Sequence, residues 1–435
     1  LSDGHLTIDR FAAFEDLEAA FRLHADMAVP RQHGGLRLFW EDFRELHANA
    51  FRRDPAGRLS AWITANPRDC LAYGTAEQVL RAAVLAGGAA PGRVGRAVER
   101  IAARFELSGL RRQPLRTLSG GEAVRLALAK VAGLSPRLGS LTVASPFSWL
   151  SEEGRRHFDR LVGDLLPRGV PVELLAMEGE DSREPAPPEP AWTGGRAFRL
   201  SAEGVRFPLA TPLEAMFGAS GRAALEDTDV SLRSPCQLTG GNGQGKSLVA
   251  RLLAGAVGHS GRIAVGPAQA PPSRARLLFQ DVLNQTLMRP PERLAARGHR
   301  EGALSCYRRM RGLLPEGVRD QALPDPLEGA GAGHRSLPSL FTVKMLLAAS
   351  RLHARPGALI LDEPDWGLTR QSALGLVSAV SAAAGEAGVP VLLISHKPWW
   401  LPRVASRLRV EKRSRPSEGP GDPPVRLAFR LVEEG

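Results

Sequence analysis

Short apolar strings alternate along the chain with stretches whose apolar positions recur at helical spacing. LTVA (141–144), VPVELLA (170–176), ALILD (358–362) and VPVLLIS (389–395) have the length and leucine, valine and isoleucine content of buried strands. SEEGRRHFDRLVGDLL (151–166) and RQSALGLVSAVSAAAGEAG (370–388) read as helices between them. Strand and helix in alternation predict parallel α/β units. The pattern also repeats. GVPVELLAME (169–178) resembles GVPVLLISHK (388–397), and LTVASPFSWL (141–150) stands upstream of the first as LILDEPDWGL (359–368) does of the second. Ala144 precedes Met177 by 33 residues and Asp362 precedes His396 by 34, so a duplicated domain is expected. Between the copies, the acidic, Pro-rich EGEDSREPAPPEPAWTGGR (178–196) cannot continue a helix or a central strand. The expected division is therefore a first domain over 1–180, a linker over 181–196 and a second domain over 197–435.

Composition narrows the class. With 435 residues, 43% of them hydrophobic, the chain can fill two or three ordinary cores. No apolar run reaches the roughly 18–20 residues of a membrane helix. The opening LSDGHLTIDRF lacks a basic head and apolar stretch, so no secretory leader is expected. Three dispersed cysteines (Cys70, Cys236, Cys306) point away from a disulfide framework or zinc site and toward a reducing cytosol. Net charge is +11, but only five of the 57 basic residues are lysine and the arginines are scattered rather than clustered. That is the distribution of a solvated basic surface, and nucleic acid is not the expected partner.

The chemistry concentrates in the second copy. GGNGQGKS, from Gly240 and Gly241 through Asn242, Gly243, Gln244 and Gly245 to Lys246 and Ser247, satisfies GxxxxGK[ST]. Such glycines let successive backbone N–H groups point inward around phosphate, the following helix adds its positive end, lysine supplies a compact cation, and serine can ligate Mg²⁺. Arginine, used nearly everywhere else, would not fit that loop. ALILDEP (358–364) ends a buried strand in Asp362 and Glu363, where one carboxylate can hold Mg²⁺ and the other can orient or deprotonate an attacking water. His396 ends the next apolar strand, and Gln280 closes RLLFQ 34 residues after Lys246. In this order the residues describe a nucleotide-hydrolysis site.

LSGGEAVRLALAK (118–130) completes the picture, because with the other motifs it resembles the ATP-binding cassette ATPases. The fold class this implies is α/β, two tandem P-loop cassettes, each with a parallel-sheet core and a helical subdomain. The resemblance implies ATP and Mg²⁺ as cofactors. It implies Glu363, His396 and Gln280 as catalytic residues, Ser247, Asp362 and Gln280 around the metal, and Ser119, Gly120 and Gly121 as a helix start aimed at the γ-phosphate. An adenine-stacking aromatic is expected before the phosphate loop, at Phe207 or Phe217. The copies depart from the family pattern in opposite ways. LPSLF (337–341) stands where the second copy should carry its signature. In the first copy Ala144, Ser145, Met177 and Ala65 replace the Asp, Glu, His and Gln, and spacing puts the missing lysine near position 27 or 31. One competent site per chain follows, formed if the copies pair head to tail. The resemblance further implies an energy-coupling subunit at the inner face of the cell membrane, serving separate permease subunits, with a homodimer as a further possibility. A soluble factor acting on ribosomes or nucleic acid and a slow ATP-dependent switch are the alternatives.

Overall fold

The computed structural model describes residues 5–12, 16–17, 51–53, 57–64, 71, 74–113, 115, 118, 120–150, 152–178, 196–208, 222–240, 244–267, 274–279, 300–322, 339–395, 400, 404–416 and 425–434. The chain divides into two compact units, the first Leu1–Asp181 with His334–Leu337 and Gly367–Thr369, the second Ser182–Gly333, Pro338–Trp366 and Arg370–Gly435. The Pro-rich segment expected as a linker lies outside the described residues except Arg196.

The first unit contains β1 (Leu6–Phe11), β2 (Phe51–Arg53), β3 (Leu59–Ile63), α1 (Ala76–Ala86), α2 (Val94–Arg104), α3 (Gly120–Leu134), β4 (Leu138–Ala144), α4 (Pro146–Trp149), α5 (Glu152–Leu165) and β5 (Val172–Met177). Its sheet runs β1-β5-β4-β3-β2, parallel throughout except for the outer β2–β3 pair. Helix α1 starts at a reciprocal cap: the Gln78 N–H donates to Thr75 Oγ1 and the Thr75 N–H donates to Gln78 Oε1. Val79, Leu80, Ala83 and Val84 then fall on one face and enter a core shared with α3, α5 and the inner strands. Helices α1 and α3 pack so closely at Gly87 that a Cβ there would lie 2.3 Å from the Gly133 carbonyl oxygen.

The second unit contains β6 (Ala197–Pro208), β7 (Arg222–Leu225), β8 (Thr228–Arg233), β9 (Cys236–Thr239), α6 (Lys246–Leu253), β10 (Ser260–Pro267), β11 (Arg276–Leu278), α7 (Arg300–Gly312), α8 (Glu316–Arg319), α9 (Leu340–His353), β12 (Leu359–Asp362), α10 (Arg370–Ala387), β13 (Val391–Ile394), β14 (Ser406–Pro416) and β15 (Val425–Glu434). One continuous sheet orders them β10-β6-β7-β15-β14-β9-β13-β12-β11, with β8 on β6. Strands β14, β9, β13, β12 and β11 are mutually parallel, and the β10, β6, β7 end is largely antiparallel. A separate core forms here from β6, β9, α6, β12, β13, β14 and β15. Strands β12 and β13 are buried over their whole lengths, which explains why they read as uninterrupted apolar runs. No helix among the described residues is long and apolar enough to cross a membrane.

The α1–α3 contact is testable. Gly87→Ala should cost about 1–3 kcal/mol, the usual range for overpacking against backbone that cannot yield. Denaturant unfolding checks it; an unchanged midpoint would mean the helices are not in that contact.

Candidate functional site

Strand β9 delivers the chain to the phosphate loop, and two glycines there have no substitute. Gly240 has φ 134°, and a Cβ would sit 2.7 Å from the Val410 carbonyl oxygen. Gly245 has φ 94°, and its Cβ would sit 2.3 Å from the Phe429 ring. Only a residue without a side chain combines that backbone with that clearance. Gln244 fastens the loop outward, its Oε1 accepting from the Lys412 N–H at 2.7 Å. Gly241, Asn242 and Gly243 lie outside the described residues.

Helix α6 begins at Lys246, whose Nζ reaches back across the loop to donate to the Gly240 carbonyl at 2.7 Å. Burial holds this ammonium below its ordinary pKa, while the negative charges of Glu363 and Asp362 oppose the shift. Ser247 Oγ donates to Asp362 Oδ1 at 3.2 Å, so the serine and carboxylate expected around a metal do meet. Asp362 ends β12 and is 3% exposed. Its carboxyl is pushed up to about 7, first by burial and then by the neighbouring charge of Glu363, against the pull of Ser247, Arg251 and Lys246. Glu363 follows in the left-handed region at φ 44°, its N–H donating to the Ile394 carbonyl at 2.8 Å. That bend turns the chain sharply off the strand end. Glycines that leave no room for side chains, a folded-back lysine and a serine–carboxylate pair are the donor set that a magnesium triphosphate requires.

The other expected residues are distributed unevenly. His396, Gln280, Phe217 and Ser119 lie outside the described residues. Gly120 opens α3 and Gly121 is half-buried within it. Phe207 requires a correction: it is 2% exposed on β6 and stacks on Phe429 with centroids 6.0 Å apart. Its faces are taken up by the core beneath Gly245, so it is not free to stack on a base. The sequence reading also missed Lys344, Asp365, Ser395 and Gln237, which are buried around the same strand ends. A lone lysine inside LFTVKMLLAA was the available signal for the first of these.

The first unit reproduces the frame of this site without its chemistry. In the second unit Asp362 pairs with Ile394 and Ile394 with Leu238. In the first, Ala144 pairs with Leu175 and Leu175 with Asp9. Ser145 matches Glu363 in conformation: it too is left-handed, at φ 47°, and its N–H donates to the Leu175 carbonyl at 2.6 Å. By the same register Ile63 corresponds to Leu278, which puts Ala65 opposite Gln280 in sequence. Strand β1 takes the place of β9, each lying parallel beside the strand that leads to Met177 or His396. Eight residues after Leu238 comes Lys246; eight after Asp9 comes Leu17, 1% exposed. By this count Leu17 stands at the place of the lysine; positions 27 and 31 lie outside the described residues. The altered signature LPSLF is also explained locally. Ser339 caps α9, accepting from the Thr342 N–H at 3.2 Å and donating to the Gln321 carbonyl at 3.0 Å.

The raised pKa of Asp362 gives a signed prediction for the ligand-free protein. Between about pH 4, where an unfolded aspartate ionises, and about 7, the folded state holds one proton more, so stability falls as pH rises, by at most about 1.4 kcal/mol per pH unit. Asp362→Asn should flatten that slope by this amount. Denaturant titrations of both proteins at several pH values check it, and parallel profiles would contradict it.

No protein-family model matches the chain. Among curated proteins it is 28% identical over 186 residues to the zinc import ATP-binding protein ZnuC of Yersinia pestis bv. Antiqua (strain Antiqua), covering 40% of this chain and 64% of the relative, a little under two thirds of that protein. It is 34% identical over 111 residues to the energy-coupling factor transporter ATP-binding protein EcfA2 of Symbiobacterium thermophilum, covering 25% and 38% respectively. Among solved structures, a model of ribosome-bound archaeal Pelota and ABCE1 shares the fold with a TM-score of 0.52 and 14% identity, over 99% of this chain and 75% of that one. Phosphate loop, strand-end carboxylates and relatives agree in their direction: the chain is similar to the ATP-binding cassette ATPases and shares the α/β fold of a tandem-cassette protein.

Proposed function

We propose that this chain hydrolyses ATP at a single competent site and serves as the energy-coupling subunit of an ATP-binding cassette transporter. The observation that carries the hydrolytic part is the meeting of Ser247 with Asp362 beside Lys246, set against Ala144, Ser145 and Leu17 at the matching places of the first cassette. In this reading the loop N–H groups and the Lys246 ammonium bind the β- and γ-phosphates. Ser247 and Asp362 hold Mg²⁺, which when bound supplies positive charge to the phosphate oxygens. Glu363 orients and deprotonates the attacking water, with His396 and Gln280 completing the site as the family resemblance implies. A signature helix start of the kind Ser119, Gly120 and Gly121 form in sequence would face the γ-phosphate, as the family resemblance implies.

Two sequence relatives whose names describe import and energy-coupling ATP-binding proteins support the transport reading, and separate membrane subunits would be its partners. A ribosome-directed role is the second reading, favoured by the shared fold with a ribosome-bound protein and by the +11 charge. Pull-down from solubilised membranes that recovers a polytopic protein supports the first; salt-sensitive co-sedimentation with ribosomes supports the second and overturns the first.

The hydrolytic reading makes a sharper prediction. Lys246→Ala should weaken nucleotide binding by about 100-fold or more, whereas Glu363→Gln should keep binding and lower turnover by about 10²–10⁴-fold, the usual contribution of a general base. Ala144→Asp should restore nothing. Phosphate-release assays and equilibrium dialysis check all three. One hydrolysable nucleotide per chain is expected; two would refute the asymmetry.

A further inference from the structure

Lys344 is fully buried in α9, inside a run from Leu340 to Ala349 in which every residue is buried. An ammonium in such surroundings is costly unless its protons are all directed at acceptors. Its Nζ donates to the Pro364 carbonyl at 2.8 Å and to the Trp366 carbonyl at 2.5 Å, and stands 5.7 Å from the centre of the Trp366 ring. Both carbonyls belong to the turn that immediately follows Glu363. The same turn is gripped from its other side. Ser395 Oγ donates to Asp365 Oδ1 at 3.1 Å, and the Ser395 carbonyl accepts from Gln237 Nε2 at 3.0 Å. Ser395 directly precedes His396, and Gln237 lies on β9, the strand that enters the phosphate loop. Within the turn, the Trp366 N–H closes onto the Glu363 carbonyl at 3.1 Å.

A buried charge is a poor device for stability, since an apolar residue of similar size usually does as well or better. It is a good device for fixing backbone, because an ammonium can hold two carbonyls at once. The chain also favours arginine roughly ten to one yet places lysine here, a compact point charge rather than a flat fork. We propose that Lys344 is a positioning residue for hydrolysis: together with the Gln237–Ser395–Asp365 chain it clamps residues 364–366, and so holds Glu363 in its left-handed conformation at the strand end. This rests on the hydrolytic reading above and adds to it a link from helix α9, the helix that starts at the altered signature, to the general base.

The test uses the full chain carrying Lys344→Met, which keeps length and loses the charge. Turnover should fall at least tenfold, with the nucleotide dissociation constant changed less than threefold. Amide exchange at Glu363 and Trp366 should quicken at least tenfold, and exchange in β15 should not change. Ser395→Ala, which removes a single hydroxyl, should show the same signs at about a third of the size and decides the matter if Lys344→Met fails to fold. Exchange in 363–366 as slow as in the unmodified protein overturns the proposal, as does undiminished turnover in a folded variant. If the unmodified chain hydrolyses no ATP, the proposed function fails while amide exchange still decides whether the clamp exists.

Discussion

A carboxylate kept almost out of water at the end of a buried strand sets the terms for the rest of the second unit. Asp362 gains little from solvent, and its own neighbour Glu363 repels it, so the charged form is held only by what the fold brings to it. Those groups are the Ser247 hydroxyl and the charges of Lys246 and Arg251. Together they do not restore an ordinary carboxylate, because burial outweighs them. The same imbalance appears from the other side in Lys246, whose pKa is lowered despite two nearby acids. Burial thus penalises both charges at this strand end, the carboxylate and the ammonium alike.

The first unit shows what happens when one partner in such a balance is removed. Leu17 stands in the place of Lys246, Ala144 in that of Asp362 and Ser145 in that of Glu363. Loss of the lysine alone would leave a buried carboxylate uncompensated, and loss of the carboxylate alone would strand a buried ammonium, each costing several kcal/mol. Apolar replacement of both avoids either cost. The backbone frame persists regardless: Ser145 keeps a left-handed conformation and the N–H bond to the neighbouring strand that Glu363 makes. Sheet register and turn geometry depend on main-chain hydrogen bonds, and these are indifferent to which side chain occupies the strand end.

This difference explains what could be read from the sequence. Motifs fixed by backbone demands were legible, since glycines at Gly240 and Gly245 and a buried apolar run ending in two acids leave a plain trace. The place of Ala65 opposite Gln280 left a weaker trace, because its spacing from the DEP-like turn is nearly kept, 79 residues from Ala65 to Ala144 against 82 from Gln280 to Asp362. The counterpart of the lysine was not legible. Lys246 stands 34 residues before Gln280, but Leu17 stands 48 before Ala65, so distance counted backward lands inside the extra residues. Only the pairing of β1 with β5 identifies Leu17. Phe207 misled for another reason: an aromatic on a strand suits a core and a base-stacking site equally well in sequence, and its 2% exposure decides between them. Lys344 was hidden by its surroundings, since its acceptors are carbonyls distant in sequence and carbonyls carry no residue signal.

The two cassettes have lost complementary things, and the losses differ in kind. In the first, the groups that hold phosphate and metal are gone from the chain itself. In the second, the helix start that would face a nucleotide has been turned to a structural task. Pro338 stands where the signature serine would be, and Ser339, one place on, caps α9 with its hydroxyl engaged by the Thr342 amide and the Gln321 carbonyl. That arrangement also seats the helix carrying Lys344 against the turn beyond Glu363. The cap fixes the start of the helix whose Lys344 grips the turn after Glu363. The capped helix start and the strand-end acids are then joined through one buried lysine, which ties helix α9 to the turn beyond Glu363.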